Sequence, residues 1–132
     1  WEHVRRVNES GVTILLTTHY LEEAEEMCER ICFLRNGSVL RIDEKDKIMD
    51  TLSQNKITIE FDDGIPDLPK SFPAYDVADD RDAVFITVSR EQQSNRLREA
   101  LHVLDTNGID YRNFTLEQDR LEEIFRRMMF DD

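Results

Sequence analysis

Residues 13–40 read TILLTTHYLEEAEEMCERICFLRNGSVL, and this stretch contains the clearest structural pattern of the chain. Residues 12–16, which overlap its start, are rich in β-branched side chains and apolar at even and odd positions alike. A strand that is buried on both faces of a helix-covered sheet typically has this pattern. Residues 1–8, which precede Gly11, predict a short helix. The order of helix, glycine and strand therefore indicates an α/β unit.

A polar corner and an acidic helix follow the predicted strand. The corner consists of Thr17, Thr18, His19 and Tyr20. Residues 21–30 place apolar side chains at helical spacing on one face, whereas five glutamates occupy the other faces. Such glutamates usually form a solvated helix surface, so we prefer that interpretation to a metal site.

A hairpin and a short helix complete the first part of the chain. Residues 31–35 and 38–42 are predicted strands, because β-branched and apolar residues flank a tight turn. Asn36 and Gly37 form the preferred pair for a two-residue hairpin turn. Residues 46–52 predict a helix.

The pattern changes after the polar residues 53–55, where we place a domain boundary. The remaining chain reads as β-β-β-α-β-α, with helices at residues 91–105 and 119–129. This order predicts a small α+β module, for which a ferredoxin-like arrangement is one alternative. The chain is therefore predicted to have an α/β part, residues 1–54, followed by an α+β part, residues 55–132.

Composition excludes several classes of function. The chain has 132 residues, of which 39% are hydrophobic, and no stretch approaches the roughly 20 apolar residues of a membrane span. Because 29 acidic residues outnumber 17 basic ones, the net charge is −12, which opposes binding to nucleic acid. Two cysteines do not make a disulfide scaffold, and this indicates a reducing, cytosolic setting. Direct membrane insertion is not expected either.

The candidate functional residue is His19, which lies at the carboxyl end of the predicted strand. Ligands bind at this edge of open α/β sheets, and an imidazole there can donate to a phosphate oxygen or hold a water. The alternative is a histidine that a neighbouring backbone group satisfies. Cys28 and Cys32 lie four residues apart without a second pair of ligands, so we expect them to face a core and predict no metal site.

Residues 13–40 closely resemble the histidine-switch region of ABC transporter ATPases. In that family a buried strand ends in Thr-His, and an acidic helix, Arg-Ile, a strand, a glycine turn and a second strand follow. The matching positions here are Thr18-His19, Glu22, Glu23, Glu25, Glu26, Glu29, Arg30-Ile31, Phe33-Leu34, Gly37 and Val39-Leu40. The Thr-His-Tyr-Leu-Glu-Glu-Ala-Glu form is most similar to ATPases of drug-exporter type. The resemblance covers residues 1–50; beyond them it rests on module order and on residues 121–125, Leu-Glu-Glu-Ile-Phe.

The resemblance implies a catalytic role for one residue of this chain. In the intact protein, His19 would contact the γ-phosphate of ATP and the attacking water, with Thr17, Thr18 and Tyr20 beside it. ATP and Mg²⁺ are the implied cofactors. The implied partners are a second copy of the ATPase and a separate membrane permease. The intact protein would then be cytoplasmic, at the inner face of the cell membrane through the permease.

Other motifs of the family are absent from the sequence. There is no Gly-x-x-x-x-Gly-Lys-Ser/Thr, no Ser-Gly-Gly, and no apolar strand that ends in Asp-Glu. In the family all three lie upstream of the histidine. We therefore expect this chain to be a C-terminal portion of such an ATPase, with a C-terminal accessory domain, and to be inactive alone. The alternative is a stand-alone acidic α+β module that binds a ligand or a protein without catalysis.

The predicted strand at residues 12–16 also predicts how the isolated chain behaves. A strand built to lie between other strands leaves edges and apolar faces uncovered when those neighbours are missing. We therefore expect the chain to self-associate, with residues 1–50 at the interface.

Overall fold

The computed structural model describes residues 1–79 and 82–130, and within them the chain forms a mixed α/β structure with two small antiparallel sheets. Residues 80–81 and 131–132, which belong to the second predicted part, lie outside the described residues. The helices are α1 (Glu2–Glu9), α2 (Leu21–Met27), α3 (Lys45–Leu52), α4 (Gln93–Thr106) and α5 (Leu121–Phe130). The strands are β1 (Arg30–Arg35), β2 (Ser38–Glu44), β3 (Asn55–Glu60), β4 (Asp76–Val77), β5 (Ala83–Val88) and β6 (Asn113–Glu117). Among these helices, none has both the length and the apolar character that crossing a membrane requires.

The first sheet is the hairpin of β1 and β2, as predicted. Its turn closes between Arg35 and Ser38, and Asn36 and Gly37 have φ angles of 50° and 79°. Both central residues of a type I′ turn need positive φ, which asparagine and glycine tolerate best. This local preference explains why the hairpin could be predicted from the sequence.

The second sheet has the strand order β4-β5-β3-β6, and every neighbouring pair is antiparallel. Its element order, β-β-β-α-β-α, is the predicted one. The ferredoxin-like arrangement is not confirmed, because that fold has the order β-α-β-β-α-β. One face of the sheet forms a core with α4. The buried members of this core are Ile57, Ile59, Phe61, Phe72, Val84, Ile86, Val88, Ala100, Val103 and Leu104.

Helix α5 packs against the first part of the chain rather than against the second sheet. Its buried residues Leu121 and Ile124 join a separate core cluster in the first part of the chain, which we call the first core. The other buried members of that cluster are Ala24, Ile31, Phe33, Ile48 and Met49. The last helix therefore covers the α2, hairpin and α3 region. The domain boundary near residue 54 remains a prediction.

The predicted buried strand at residues 12–16 is wrong for this structure. These residues form neither a helix nor a strand, and no described strand pairs with them. Leu15 is 93% exposed, and Val12 and Ile14 are exposed as well. An apolar strand is buried only when neighbours cover both its edges and its faces. Within residues 1–79 and 82–130 none does so, which explains why the pattern alone was misleading.

Candidate functional site

His19 lies in the polar corner that connects the exposed residues 12–16 to helix α2. The residue is exposed, and α2 begins two positions later, at Leu21. Its imidazole ring lies against the ring of Tyr20, with the centroids 4.2 Å apart and the planes tilted by 34°. The corner thus presents an accessible imidazole beside an aromatic ring, not a histidine sealed in a core.

Thr18 shapes this corner. Its hydroxyl oxygen accepts a hydrogen bond from the backbone N–H of Tyr20 at 2.9 Å, and the hydroxyl donates to the carboxylate of Glu23 at 3.4 Å. Threonine forms such local turns readily, because its side chain can replace a backbone acceptor. The turn determines where the backbone leaves the corner and enters α2. Thr18 therefore fixes the position of Tyr20, the residue that follows His19.

The acidic helix α2 has two kinds of glutamate. Glu22 and Glu26 are exposed, as predicted for a solvated surface. Glu25 is different, because its side chain is only 16% exposed and holds the start of helix α5. Its carboxylate accepts hydrogen bonds from the guanidinium of Arg120 at 2.6 Å and from the backbone N–H of Leu121 at 3.1 Å. An acidic group at this position satisfies an N–H at the beginning of α5 and interacts favourably with the helix dipole.

The two cysteines have different environments. Cys28 is half-buried against the first core, where burial raises the pKa of its thiol and the nearby Lys45 acts in the opposite direction. Cys32 is exposed, because β1 alternates and directs Ile31 and Phe33 to the core. The prediction that both cysteines face a core was therefore wrong for Cys32. Among the described residues, no three His, Cys, Asp or Glu side chains are arranged to hold a metal ion.

The corner does not provide a complete site for ATP or Mg²⁺. One imidazole and the hydroxyl of Thr17 can donate to a phosphate oxygen, but binding of a triphosphate needs many more donors, which a glycine-rich loop supplies. The carboxylates of Glu22 and Glu23 lie on the adjacent turn of α2 and repel an anion. The described residues thus fit at most a single contact to a phosphate group and do not fit the whole nucleotide.

A polar junction, which was not predicted from the sequence, connects the two cores. At its centre is Asn55, 1% exposed, whose amide donates to Gln93 at 2.6 Å and accepts from the backbone N–H of Asp119 at 2.8 Å. The carboxylate of Asp119 accepts from the backbone N–H of Gln54 and from Arg127, both at 2.6 Å. These bonds tie β3 of the second sheet to the segment that precedes α5.

Arg90 extends the junction towards helix α3. Its guanidinium donates to Asp50 at 2.6 Å, and this hydrogen bond raises the pKa of Arg90 above its usual value. The backbone N–H of Arg90 donates to the hydroxyl of Ser53 at 2.8 Å, and Ser53 is buried. The sequence predicts a domain boundary at the polar residues 53–55, but not these contacts. The burial of Asn55 could nevertheless have been predicted. Side chains alternate between the two faces of a strand, so Asn55 lies on the same face as Ile57 and Ile59, which is the core face.

A cavity of about 430 Å³ lies beside this junction. Its lining is polar and includes Glu22, Glu26, Ser53, Arg90 and Arg120. His19 is not among its lining residues. The structure therefore does not bring the predicted functional residue and the junction together in one pocket.

Comparison with known proteins identifies relatives of one kind. No family model matches the chain. The chain is similar to a daunorubicin/doxorubicin resistance ATP-binding protein of Streptomyces peucetius, with 26% identity over 130 residues, or 95% of this chain and 39% of that protein. It is also similar to an uncharacterized ABC transporter ATP-binding protein of Bacillus subtilis, with 29% identity over 124 residues, or 94% and 40%.

A shorter match has a higher identity. A Nod factor export ATP-binding protein I of Bradyrhizobium diazoefficiens is 44% identical over 50 residues, which are 38% of this chain and 16% of that protein. The chain thus spans 39% to 42% of the length of three relatives that match it almost throughout. The homologues of this chain are ABC transporter ATP-binding proteins, as the resemblance of residues 13–40 predicted.

Proposed function

We propose that this chain is the C-terminal part of the ATP-binding subunit of an ABC transporter. In the whole protein, that subunit couples ATP hydrolysis to export through a separate membrane permease, at the cytoplasmic face of the cell membrane, and works as a dimer with its own copy. Relatives named for drug resistance and for Nod factor export support export as the direction of transport.

The observation that carries the proposal is the order of elements in residues 13–40. A Thr-His corner leads directly into the acidic helix α2, and then into a hairpin whose turn is Asn36-Gly37. The chain keeps this order in three dimensions, with α2 and the hairpin joined in one core. Relatives that match the chain almost throughout are ABC transporter ATP-binding proteins, which supports this proposal over a stand-alone binding module.

His19 is the residue to which we assign contact with the γ-phosphate of ATP in the whole protein. Its imidazole is exposed, so a nucleotide held by other parts of the whole protein can reach it. A donor directed at the charge that develops during phosphoryl transfer stabilises the transition state. We assign the binding of Mg²⁺ and of the rest of ATP to other parts of the protein. The chain by itself is therefore expected to hydrolyse no ATP.

The experiment that tests this assignment compares two histidine variants in the whole protein encoded by the reading frame that contains this chain. His19→Ala should lower the rate of ATP hydrolysis, measured as phosphate release, by about 100-fold or more, as loss of a transition-state donor does elsewhere. His102→Ala is the matched control, since His102 is an exposed residue of α4, and it should leave the rate unchanged.

Two results would contradict the proposal at different levels. If His19→Ala hydrolyses ATP at the wild-type rate, the role of His19 is wrong although the protein is an ATPase. If the reading frame encodes no phosphate-binding loop, and the whole protein neither binds nor hydrolyses ATP, the proposed function itself is wrong.

A further inference from the structure

Strand β6 is the exposed edge of the second sheet. It pairs with β3 on one side, and no described strand pairs with its other side. All five of its residues, Asn113–Glu117, are exposed, whereas β3 and β5 are largely buried. The opposite edge of the sheet is β4, which has only two residues. Strand β6 therefore presents the longer row of unpaired backbone groups.

The exposed side chains of β6 include two that lie on the core face of the sheet. Leu116 is opposite Ile57 and Phe114 is opposite Ile59, and residues directly opposite in an antiparallel pair share a face. Both Ile residues are buried, yet Phe114 and Leu116 are each 40% exposed. The reason is that α4 covers the other strands, while α5 packs on the first core instead. An apolar strip is thus left uncovered along the edge.

This edge lacks the devices that normally prevent strand pairing. Proteins protect exposed edges with proline, lysine, a bulge or a very short strand. Residues 113–117 contain neither proline nor lysine, and their register with β3 is regular. The ring of Tyr111 lies edge-on to that of Phe114, with centroids 6.3 Å apart, which lengthens the apolar strip. The β6 edge is therefore competent to accept another strand.

We infer that β6 pairs in antiparallel fashion with β6 of a second copy of this chain, which joins the two four-stranded sheets into one. If the two-fold axis passes through Thr115, Phe114 of one copy faces Leu116 of the other, and each such pair covers part of the exposed strip. A two-fold interface requires a surface that is complementary to itself, and this register satisfies that requirement.

Charge within the strand does not oppose this register. In this register Glu117 of one copy faces the neutral Asn113 of the other, and Arg112 is paired with Glu60 of its own chain at 3.3 Å. No two acidic residues of the strand therefore face each other, although each chain has a net charge of −12. A second copy supplies the apolar match of Phe114 with Leu116 by symmetry, which is why we assign the edge to a second copy. The inference extends the proposed function but does not require ATP.

The experiment measures the mass of the 132-residue chain by sedimentation equilibrium over a range of concentrations. The wild-type chain should approach twice the mass of one chain. Thr115→Lys places two lysines opposite each other at the axis, and like charges in that position are destabilising. This variant should raise the dissociation constant at least tenfold. Thr106→Lys is the control, since it adds the same charge at the exposed end of α4.

A mixing experiment separates a lost interface from a lost fold. Thr115→Glu should weaken the dimer in the same way, but an equimolar mixture with Thr115→Lys should form a heterodimer, because opposite charges then meet at the axis. A monomeric wild-type chain would overturn the inference, as would a Thr115→Lys variant that still dimerises. If each variant folds by circular dichroism but the mixture stays monomeric, the register is wrong. If Leu15→Lys alone abolishes the dimer, the interface lies at residues 12–16 and not at β6.

Discussion

Residues 12–16 and strand β5 have similar composition but opposite environments. The first segment reads VTILL, and residues 84–88 of β5 read VFITV. In β5, Val84 and Ile86 are 0% and 2% exposed, because the strand lies between β3 and β4 and under α4. In the first segment Leu15 is 93% exposed. An apolar, β-branched run therefore indicates that a segment can form a buried strand. Whether it is buried depends on the segments that pack around it.

The largest expected effect is a direct test of this comparison. Ile86→Ala should lower the free energy of unfolding by about 2–5 kcal/mol, because it leaves a cavity in a packed core. Ile14→Ala, the same change in the exposed segment, should alter it by no more than about 0.5 kcal/mol. Urea unfolding followed by circular dichroism measures both values.

A large loss of stability for Ile14→Ala would break the comparison. It would mean that residues 12–16 are packed in solution, either within one chain or between chains. Repeating the measurement at several protein concentrations distinguishes these cases, because stability that depends on association rises with concentration.

An intermediate loss of unfolding free energy is expected at the junction between the two cores. There the buried residue is the polar Asn55 and not an apolar one. Asn55→Ala removes the hydrogen bonds to Gln93 and to the backbone N–H of Asp119. Loss of a partner for buried polar groups should cost about 1–3 kcal/mol. Urea unfolding again gives the value, and Asn95→Ala on the exposed side of α4 serves as the control. Equal, small effects for both variants would show that the junction contributes little to stability.

The smallest effect concerns the two cysteines, which are only four residues apart. Cys32 should react with iodoacetamide before Cys28, because Cys32 is exposed and burial raises the pKa of the Cys28 thiol. Mass spectrometry of the intact chain at neutral pH follows the reaction, with Cys28→Ser and Cys32→Ser assigning each step. Faster labelling of Cys28 would mean that the core under β1 opens more readily than its packing indicates.

Much of the local structure could be predicted from the sequence. The turn at Asn36-Gly37, the alternation of β3 and the apolar stripe of α5 each depend on residues that are close together in the chain. The contact of Glu25 with Arg120 could not be predicted, since 95 positions separate the two residues. The exposure of Phe114 and Leu116 could not be predicted either, because it depends on where α5 packs.

The candidate site also has one feature that the sequence predicts and others that only the tertiary structure shows. His19 could be selected from the sequence, because its order between an apolar run and an acidic helix resembles a known motif. The exposure of its ring, the Thr18 turn beside it and its separation from the polar cavity came only from the three-dimensional arrangement.

Local chemistry therefore determined most of the elements that this chain forms, though not the state of residues 12–16, because backbone preferences and side-chain periodicity act over a few residues. Tertiary structure alone decided which apolar faces are covered. It left residues 12–16 exposed, sent α5 to the first core and uncovered the edge of β6. The physical reason is that burial requires a second surface. The local sequence of a segment does not specify which distant segment will pack against it.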